Sequence, residues 1–220
     1  MLNLVKKDLK LSKKINIFAA IYALFISAMG LSVSQDILSN VLYILGMIIL
    51  IFVSVIYTNG YDDKYKSEIA LNSLPIDRRN IVRGKYISLI IYIIISCGSV
   101  FIFTNLIRMM NIVQSGEGAS LWNIIIATNI ALIFYSLYYP FYFKLGDGLR
   151  NFNTILWILM TVGPTIASKS VGYLMKLGYL EKLMNIDINR INIYLLVFSI
   201  AIYYISLQIS KKIYLKREFY

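Results

Sequence analysis

The residue types that usually carry catalysis are scarce in this sequence and poorly spaced for it. The 220 residues include no His, the usual general base near neutral pH, and a single Cys, Cys97, inside an apolar run. Without a His, Cys97 lacks the base that activates a thiol nucleophile. The adjacent acids Asp62 and Asp63 would point apart on a helix or a strand, and Asp147 between two Gly is typical of a turn. We therefore expect no enzymatic activity in the chain itself.

Charged residues gather instead in the stretch 59–85. The Asn-Gly pair that opens this stretch predicts the end of the apolar helix before it. Tyr61, Tyr65 and Ile69 then recur at every fourth position, which predicts a short helix. The stretch is long enough to form a small structure that projects from a membrane, although a basic loop that only fixes the orientation of the chain is a competing interpretation.

The second half of the stretch carries a break and a new helix start. Leu74 precedes Pro75, and a residue in that position disfavours helical geometry. Asp77 is a plausible N-cap for a helix that would run into the next apolar segment. Arg78 and Arg79 would then lie in the first turn, where the helix dipole disfavours cations. Membrane topology or a partner must therefore account for these two Arg residues.

Composition places these elements in lipid rather than in water. Hydrophobic residues make up 59% of the chain and charged residues 15%, whereas soluble domains have about 45–50% and about 25%. The mean hydropathy of +0.69 agrees with this. Tyr is common at 18 residues, many of them near the ends of apolar runs, where the amphipathic ring favours the headgroup layer of a bilayer.

Six stretches are long and apolar enough to cross a bilayer, which takes about 20 residues per helix. They are residues 15–33, 37–58, 86–107, 121–143, 152–171 and 191–210. The length of the chain suits one domain. The sequence therefore predicts an all-α integral membrane protein, with six transmembrane helices in a single domain over residues 1–220.

The distribution of positive charge predicts the orientation of these spans. Seventeen of the 22 Lys and Arg residues lie in the segments 1–14, 59–85, 144–151 and 211–217, which six crossings place on one side. Because loops rich in Lys and Arg stay in the cytoplasm, we expect both termini inside and the loop 172–190 outside. The net charge of +11 is then a topological signal, and no nucleic-acid partner is expected.

The N-terminal segment 1–14 predicts an amphipathic helix on the inner membrane surface. Apolar residues such as Leu2, Val5 and Leu9 can face lipid while the cations between them meet anionic headgroups. The five cations are Lys6, Lys7, Lys10, Lys13 and Lys14. A basic anchor that only sets the topology remains an open alternative.

The run 71–92 resembles a motif in the permease subunits of type-2 ABC transporters. In that family a Ser-Leu-Pro stretch, an Arg, an aliphatic residue and a Lys-Tyr pair follow one another between the second and third spans. The matching residues are Ser73, Leu74, Pro75, Ile76, Arg78, Ile81, Lys85 and Tyr86. The order of a basic N-terminal helix, six spans and a loop after the second also resembles the family. Small permeases of this kind are similar to bacterial exporters of antimicrobial peptides and phenol-soluble-modulin toxins.

This resemblance implies a half-permease in the cell membrane of a bacterium, which dimerises with itself or a sibling and binds two ATPase subunits. The loop 59–85 would hold a coupling helix on the cytoplasmic side. The residues expected to contact the ATPase are Ile69, Asn72, Ser73, Leu74, Pro75, Ile76, Asp77, Arg78 and Arg79. The chain contains no Gly-Lys-Ser/Thr phosphate-binding loop. ATP and Mg²⁺ would therefore be bound by the ATPase, and no cofactor or metal by this chain.

Polar residues within the predicted spans are candidates for a transport pathway. The four candidate pathway residues are Asn105, Asn129, Asn153 and Thr161. Such groups more often hydrogen-bond a neighbouring helix. The Gly163-Pro164 pair predicts a kink, and regularly spaced Leu residues in 172–190 predict a short amphipathic helix on the outer surface or a plain connector. No ionisable residue lies clearly deep in a span, which disfavours an ion-coupled pump.

The expected function is therefore export of a peptide or another amphipathic cargo, powered by a separate ATPase. A substrate-binding subunit of a vitamin uptake transporter is one alternative, suggested by the small residues Ala19 and Ala23 on the first span. A membrane immunity protein is another.

Overall fold

The computed structural model describes residues 2–11, 13–110, 116–146 and 188–217. These residues form seven α-helices and no strand, in agreement with the predicted all-α class. The helices are α1 (Leu2–Leu11), α2 (Lys13–Ser32), α3 (Asp36–Lys64), α4 (Ser67–Ser73), α5 (Arg78–Met109), α6 (Leu121–Leu145) and α7 (Ile188–Lys216).

Five of these helices, α2, α3, α5, α6 and α7, are long and apolar enough to cross a membrane. They coincide with five of the six predicted spans, so the prediction of a multi-pass helical membrane protein is confirmed. The predicted span 152–171, the Gly-Pro kink within it and residues 172–187 of the predicted outer loop lie outside the described residues.

The predicted end of the second span is wrong, because α3 continues past residue 58 to Lys64. Asn59 does not act as a helix breaker here. It is buried, and its side-chain oxygen accepts a hydrogen bond of 3.2 Å from the ammonium of Lys85. A polar side chain with a partner inside the bundle does not require water, so the helix can extend through it. The observed connection between α3 and α5 is therefore shorter than the predicted loop 59–85.

The short helix predicted to carry Tyr61, Tyr65 and Ile69 is also wrong in its bounds. Tyr61 belongs to the last turns of α3, whereas Ile69 lies in the separate helix α4. Lys66 divides the two helices, since its φ of 49° lies in the left-handed region that a continuous helix cannot contain. The rings of Tyr61 and Tyr65 still stack, with centroids 5.7 Å apart.

The predicted break and helix start are confirmed. Helix α4 ends at Ser73, and Leu74 before Pro75 is extended. The carboxylate of Asp77 accepts a hydrogen bond of 2.9 Å from the backbone N–H of Arg79 and so caps α5.

The helices pack through aromatic rings as well as aliphatic side chains. Tyr86 of α5 lies between Tyr139 of α6 and Tyr203 of α7, with ring centroids 4.7 and 4.9 Å away. The hydroxyl of Tyr203 donates to the backbone oxygen of Tyr86 at 2.7 Å. These rings fill contacts between helices, and the hydroxyl of Tyr203 finds its polar partner there.

One end of the bundle collects α1, α4, the beginning of α5 and the ends of α3, α6 and α7. Lys7 of α1 contacts Asp62 near the end of α3, and Arg217, just after α7, donates to the backbone oxygen of Phe143 near the end of α6. Asn72 of α4 donates to the hydroxyl of Tyr214. We call this the α4 end of the bundle. Two candidate functional regions lie there, one formed by α4 and one around Asp62.

Candidate functional site

The predicted coupling segment forms an exposed projection built from α4 and the residues that follow it. Leu74 is 52% exposed and Ile69 is 49% exposed, so two large apolar side chains face away from the bundle. The other exposed members of the predicted contact set are Ser73, Pro75, Asp77 and Arg79. An exposed apolar pair with polar neighbours has the composition of a protein-binding surface.

The remaining members of the predicted set hold this projection in place. The side-chain amide of Asn72 donates 2.9 Å to the hydroxyl of Tyr214, which is fully buried. Arg78 donates 3.3 Å to the backbone oxygen of Arg217, and Ile76 packs against the apolar core. Arg78 therefore has a partner within the chain, at the end of α7, which explains why a cation is tolerated in the first turn of α5. The sequence alone suggested membrane topology or a partner protein as the reason.

The same end of the bundle holds a cluster of four charged side chains from three helices, three of them buried. Asp62 of α3 is ion-paired with both Lys85 of α5 and Lys7 of α1, the latter at 2.7 Å. Asp8 of α1 is 3.4 Å from the Lys7 ammonium and 3.6 Å from that of Lys85. Two positive and two negative charges balance, so the cluster as a whole is neutral.

Hydrogen bonds from neutral side chains complete the surroundings of the cluster. Ser88 donates 2.9 Å to the Asp8 carboxylate, and Asn59 accepts from Lys85. Asp8, Asp62 and Lys85 are all buried. Isolated buried charges cost several kcal/mol of desolvation each, which only close partners and further hydrogen bonds offset. We call these four residues, Lys7, Asp8, Asp62 and Lys85, the ion cluster.

The ion cluster has no chemistry of its own to offer a substrate, because its charges are committed to each other. What it does is fix the position of α1 against the bases of α3 and α5. Gly84 assists this contact, since a Cβ placed on it would lie 3.2 Å from the Cβ of Leu4. Among the described residues, no group of three or more Cys, Asp or Glu side chains could hold a metal ion.

Sequence reasoning found only part of this cluster. It singled out Lys85 within the motif and Lys7 within the N-terminal segment, but missed Asp8, Asp62 and Ser88. Two features of the sequence could have pointed to Asp8 and Asp62. Asp8 is the only acidic residue in the segment 1–14, and Asp62 follows Asn59 at a spacing of three, which puts both on one face of a continuing helix.

The predicted membrane-surface cations divide into two groups. Lys6 and Lys10 are exposed, as that prediction requires, whereas Lys7 belongs to the ion cluster. Val5 and Asp8 of α1 are buried against the bundle, so one face of α1 packs on protein rather than lipid. The side chains of Lys13 and Lys14 lie outside the described set.

Two of the four predicted pathway residues, Asn105 and Asn129, fall in the described part of the chain. Asn105 donates 2.8 Å to the backbone oxygen of Phe101 in its own helix. Asn129 of α6 donates 3.1 Å to the backbone oxygen of Asn192 and accepts from Ser199, both in α7. The bonds of Asn129 join two helices. Asn153 and Thr161 lie outside the described residues.

Comparison with known proteins gives one match. A family model described as "ABC-2 family transporter protein" matches residues 3–215. No curated protein and no solved structure gives a significant match.

Proposed function

The chain belongs to the ABC-2 family of transporter proteins, and from this membership we propose that it is the membrane half of an exporter driven by a separate ATPase. A multi-pass membrane protein of this family implies an ABC ATPase as a partner. The finer parts of the proposal are the contact with the ATPase, the number of spans, the dimer and the cargo.

The observation that carries the proposal is the exposed projection at the α4 end. Its apolar residues Ile69 and Leu74 are each about half exposed, at 49% and 52%, while Asn72 and Arg78 anchor it to the end of α7. A rigidly held, partly apolar helix is suited to fit a cleft in a soluble partner. We assign α4 and the residues through Arg79 as the coupling helix region that the ATPase would move.

The coupling region connects directly to two spans, which supports a role in transmitting movement. Lys66 links α4 to α3 without an intervening loop, and Asp77 caps α5 on the other side. A displacement of α4 would therefore act on both spans. The ion cluster ties α1 to the same two helices, so α1 would move with them rather than independently.

The proposed number of spans is six, with both termini on the cytoplasmic side. Helix α6 ends at the α4 end, where Phe143 lies against Tyr214, and α7 ends there as well. Helix α7 therefore begins at the opposite end of the bundle. This arrangement supports an even number of spans, and we propose that the predicted span 152–171 is the sixth. Cationic residues at the α4 end support its cytoplasmic orientation.

We propose a dimer of two such chains with two ATPase subunits in a bacterial plasma membrane. ATP and Mg²⁺ would be bound by the ATPase, and this chain would hold neither. The proposed cargo is a peptide or another amphipathic molecule, which rests on the similarity of the Ser73–Tyr86 motif to permeases that export antimicrobial peptides and phenol-soluble modulins. Membership in the family favours this function over a vitamin-binding subunit or an immunity protein.

The test is co-purification of the chain with ABC ATPases encoded beside it. Leu74→Asp introduces a charge into the exposed apolar surface and should abolish the interaction. Leu145→Asp is the matched control, because Leu145 is 53% exposed and lies at the same end of the bundle on α6. It should leave the interaction intact.

Retention of the ATPase by both variants would show that the coupling region lies elsewhere. Loss from both would point to a general effect of charge at this end. If no ATPase binds the wild-type chain in several mild detergents, the half-permease proposal fails, and binding of small molecules to the purified chain should be tested instead.

A further inference from the structure

A groove runs between α5 and α7, away from the coupling region, and the proposed function does not use it. Its outer part, about 490 Å³, begins at Arg83 and Lys211 and is floored by aliphatic and aromatic side chains. A second cavity of about 530 Å³ continues from it toward α6 and is lined almost wholly by apolar atoms. Ile90, Ile200 and Tyr203 line both, so the two form one continuous groove.

The mouth of this groove carries positive charge that the described chain does not neutralise. No carboxylate of the described residues lies within 4.0 Å of Arg83 or Lys211. Arg83 and Lys211, two like charges, line the same opening, and the Lys211 ammonium donates 3.4 Å to the side-chain oxygen of Gln208. Cations that repel one another beside an apolar channel are stabilised by an anion that brings an apolar tail.

The groove is long enough to hold an acyl chain through one leaflet of a bilayer. On α5 it extends from Arg83 to Gly98, fifteen residues or about 22 Å along a helix. On α7, Ile200 lies eleven residues before Lys211, or about 16 Å. Half of a hydrocarbon core is about 15 Å thick. An acyl chain that begins beside the two cations would therefore stay in the groove as far as mid-membrane.

The sides of the groove are held firmly enough to keep this shape. The hydroxyl of Tyr86 shares hydrogen bonds of 2.7 and 2.8 Å with Ser206 and Ser210, and Tyr203 donates to the backbone of Tyr86. These bonds join α5 to α7 at Tyr86, close to the mouth of the groove. The outer part of the groove is therefore preformed, which lowers the entropic cost of binding.

We propose that this groove binds one anionic phospholipid, with the phosphate between Arg83 and Lys211 and an acyl chain along Ile90 and Ile200. The site needs only the membrane-spanning helices and does not depend on the transport role. It differs from general attraction to an anionic surface, because a particular pair of cations and a particular apolar channel have to act together.

The experiment is native mass spectrometry of the full chain in detergent with equimolar phosphatidylglycerol and phosphatidylcholine of identical acyl chains. The wild type should retain one phosphatidylglycerol in preference to phosphatidylcholine. Arg83→Gln/Lys211→Gln should reduce this retention by about tenfold, the order expected for two lipid-facing cations. Lys212→Gln/Lys216→Gln removes the same charge from exposed positions outside the groove and should retain the lipid.

A second variant tests the apolar part without changing any charge. Ile90→Trp fills the channel at a position that is already 43% exposed, so it should fold normally and lose the lipid. Soluble glycerol phosphate should not displace phosphatidylglycerol, because it lacks the acyl chain. Equal retention of both lipids by the wild type, equal loss in the two charge variants, or full retention by Ile90→Trp would each overturn the proposal.

Discussion

Neutralising Asp62 should destabilise the bundle strongly, because this carboxylate pairs with two cations. Asp62→Asn leaves Lys85 buried with Asp8 as its remaining counter-ion at 3.6 Å, and it turns a neutral cluster into one with a net positive charge. Removal of one partner of a buried ion pair costs about 3–5 kcal/mol. The lower end of this range applies, since Asp8 remains and the side chain of Lys7, 29% exposed, can be rehydrated. We expect the free energy of unfolding to fall by about 3 kcal/mol.

The assay is unfolding in mixed micelles titrated with dodecyl sulfate, followed by intrinsic fluorescence. Asp77→Asn makes the same chemical change at an exposed acid, where Asn still caps the helix, so its effect should stay within about 0.5 kcal/mol. A double variant, Asp62→Asn/Lys85→Gln, restores neutrality and should be about 1–2 kcal/mol more stable than the sum of the single losses.

Two results would refute the role of the ion cluster. One is a decrease in the free energy of unfolding for Asp62→Asn that is no larger than the decrease for the Asp77→Asn control. The other is a double-mutant cycle in which the effects of Asp62→Asn and Lys85→Gln on this free energy add, because additive effects indicate side chains that do not interact.

Three further predictions concern α1, the coupling region and the core. Gly84→Leu should displace α1, because the new side chain would collide with Leu4, and limited proteolysis should then cleave the N-terminal segment faster than in Gly84→Ala. Asn72→Ala and Tyr214→Phe should weaken ATPase binding to a similar extent, about three- to tenfold, since each removes the same hydrogen bond of about 1 kcal/mol, and the double variant should be no worse. Cys97 is buried, so a water-soluble maleimide should label it only after dodecyl sulfate has unfolded the bundle, and rapid labelling of the folded chain would contradict the packing.

The sequence predicted the elements whose signal is local. A run of about 20 apolar residues defines a span whatever surrounds it, and five such runs are helices of that kind. Asp77 and Pro75 set the start of α5 and the end of α4 through the geometry of their own turns.

What the sequence did not predict depends on partners far along the chain. An Asn-Gly pair at 59–60 is typical of a turn, yet Asn59 is held in a helix by Lys85. The sequence around Asp8 and Asp62 does not show that these acids are buried, because their partners lie far along the chain. Asp62 pairs with Lys85, and Asp8 accepts a hydrogen bond from Ser88. Likewise, a Tyr near the end of an apolar run suits either a headgroup layer or a contact between helices, and only the packing decides.

The ion cluster also has a consequence for the order in which the chain matures at the ribosome. Lys7 and Asp8 are synthesised before their partners Asp62 and Ser88, which follow 55 and 80 residues later. At about 5–20 residues per second, the Asp8 carboxylate waits roughly 4–16 seconds for Ser88. Helix α1 therefore cannot complete its contacts until α5 has been inserted, although it is made before α5. The docking of α1 is then a late step that reports whether α3 and α5 are already in place.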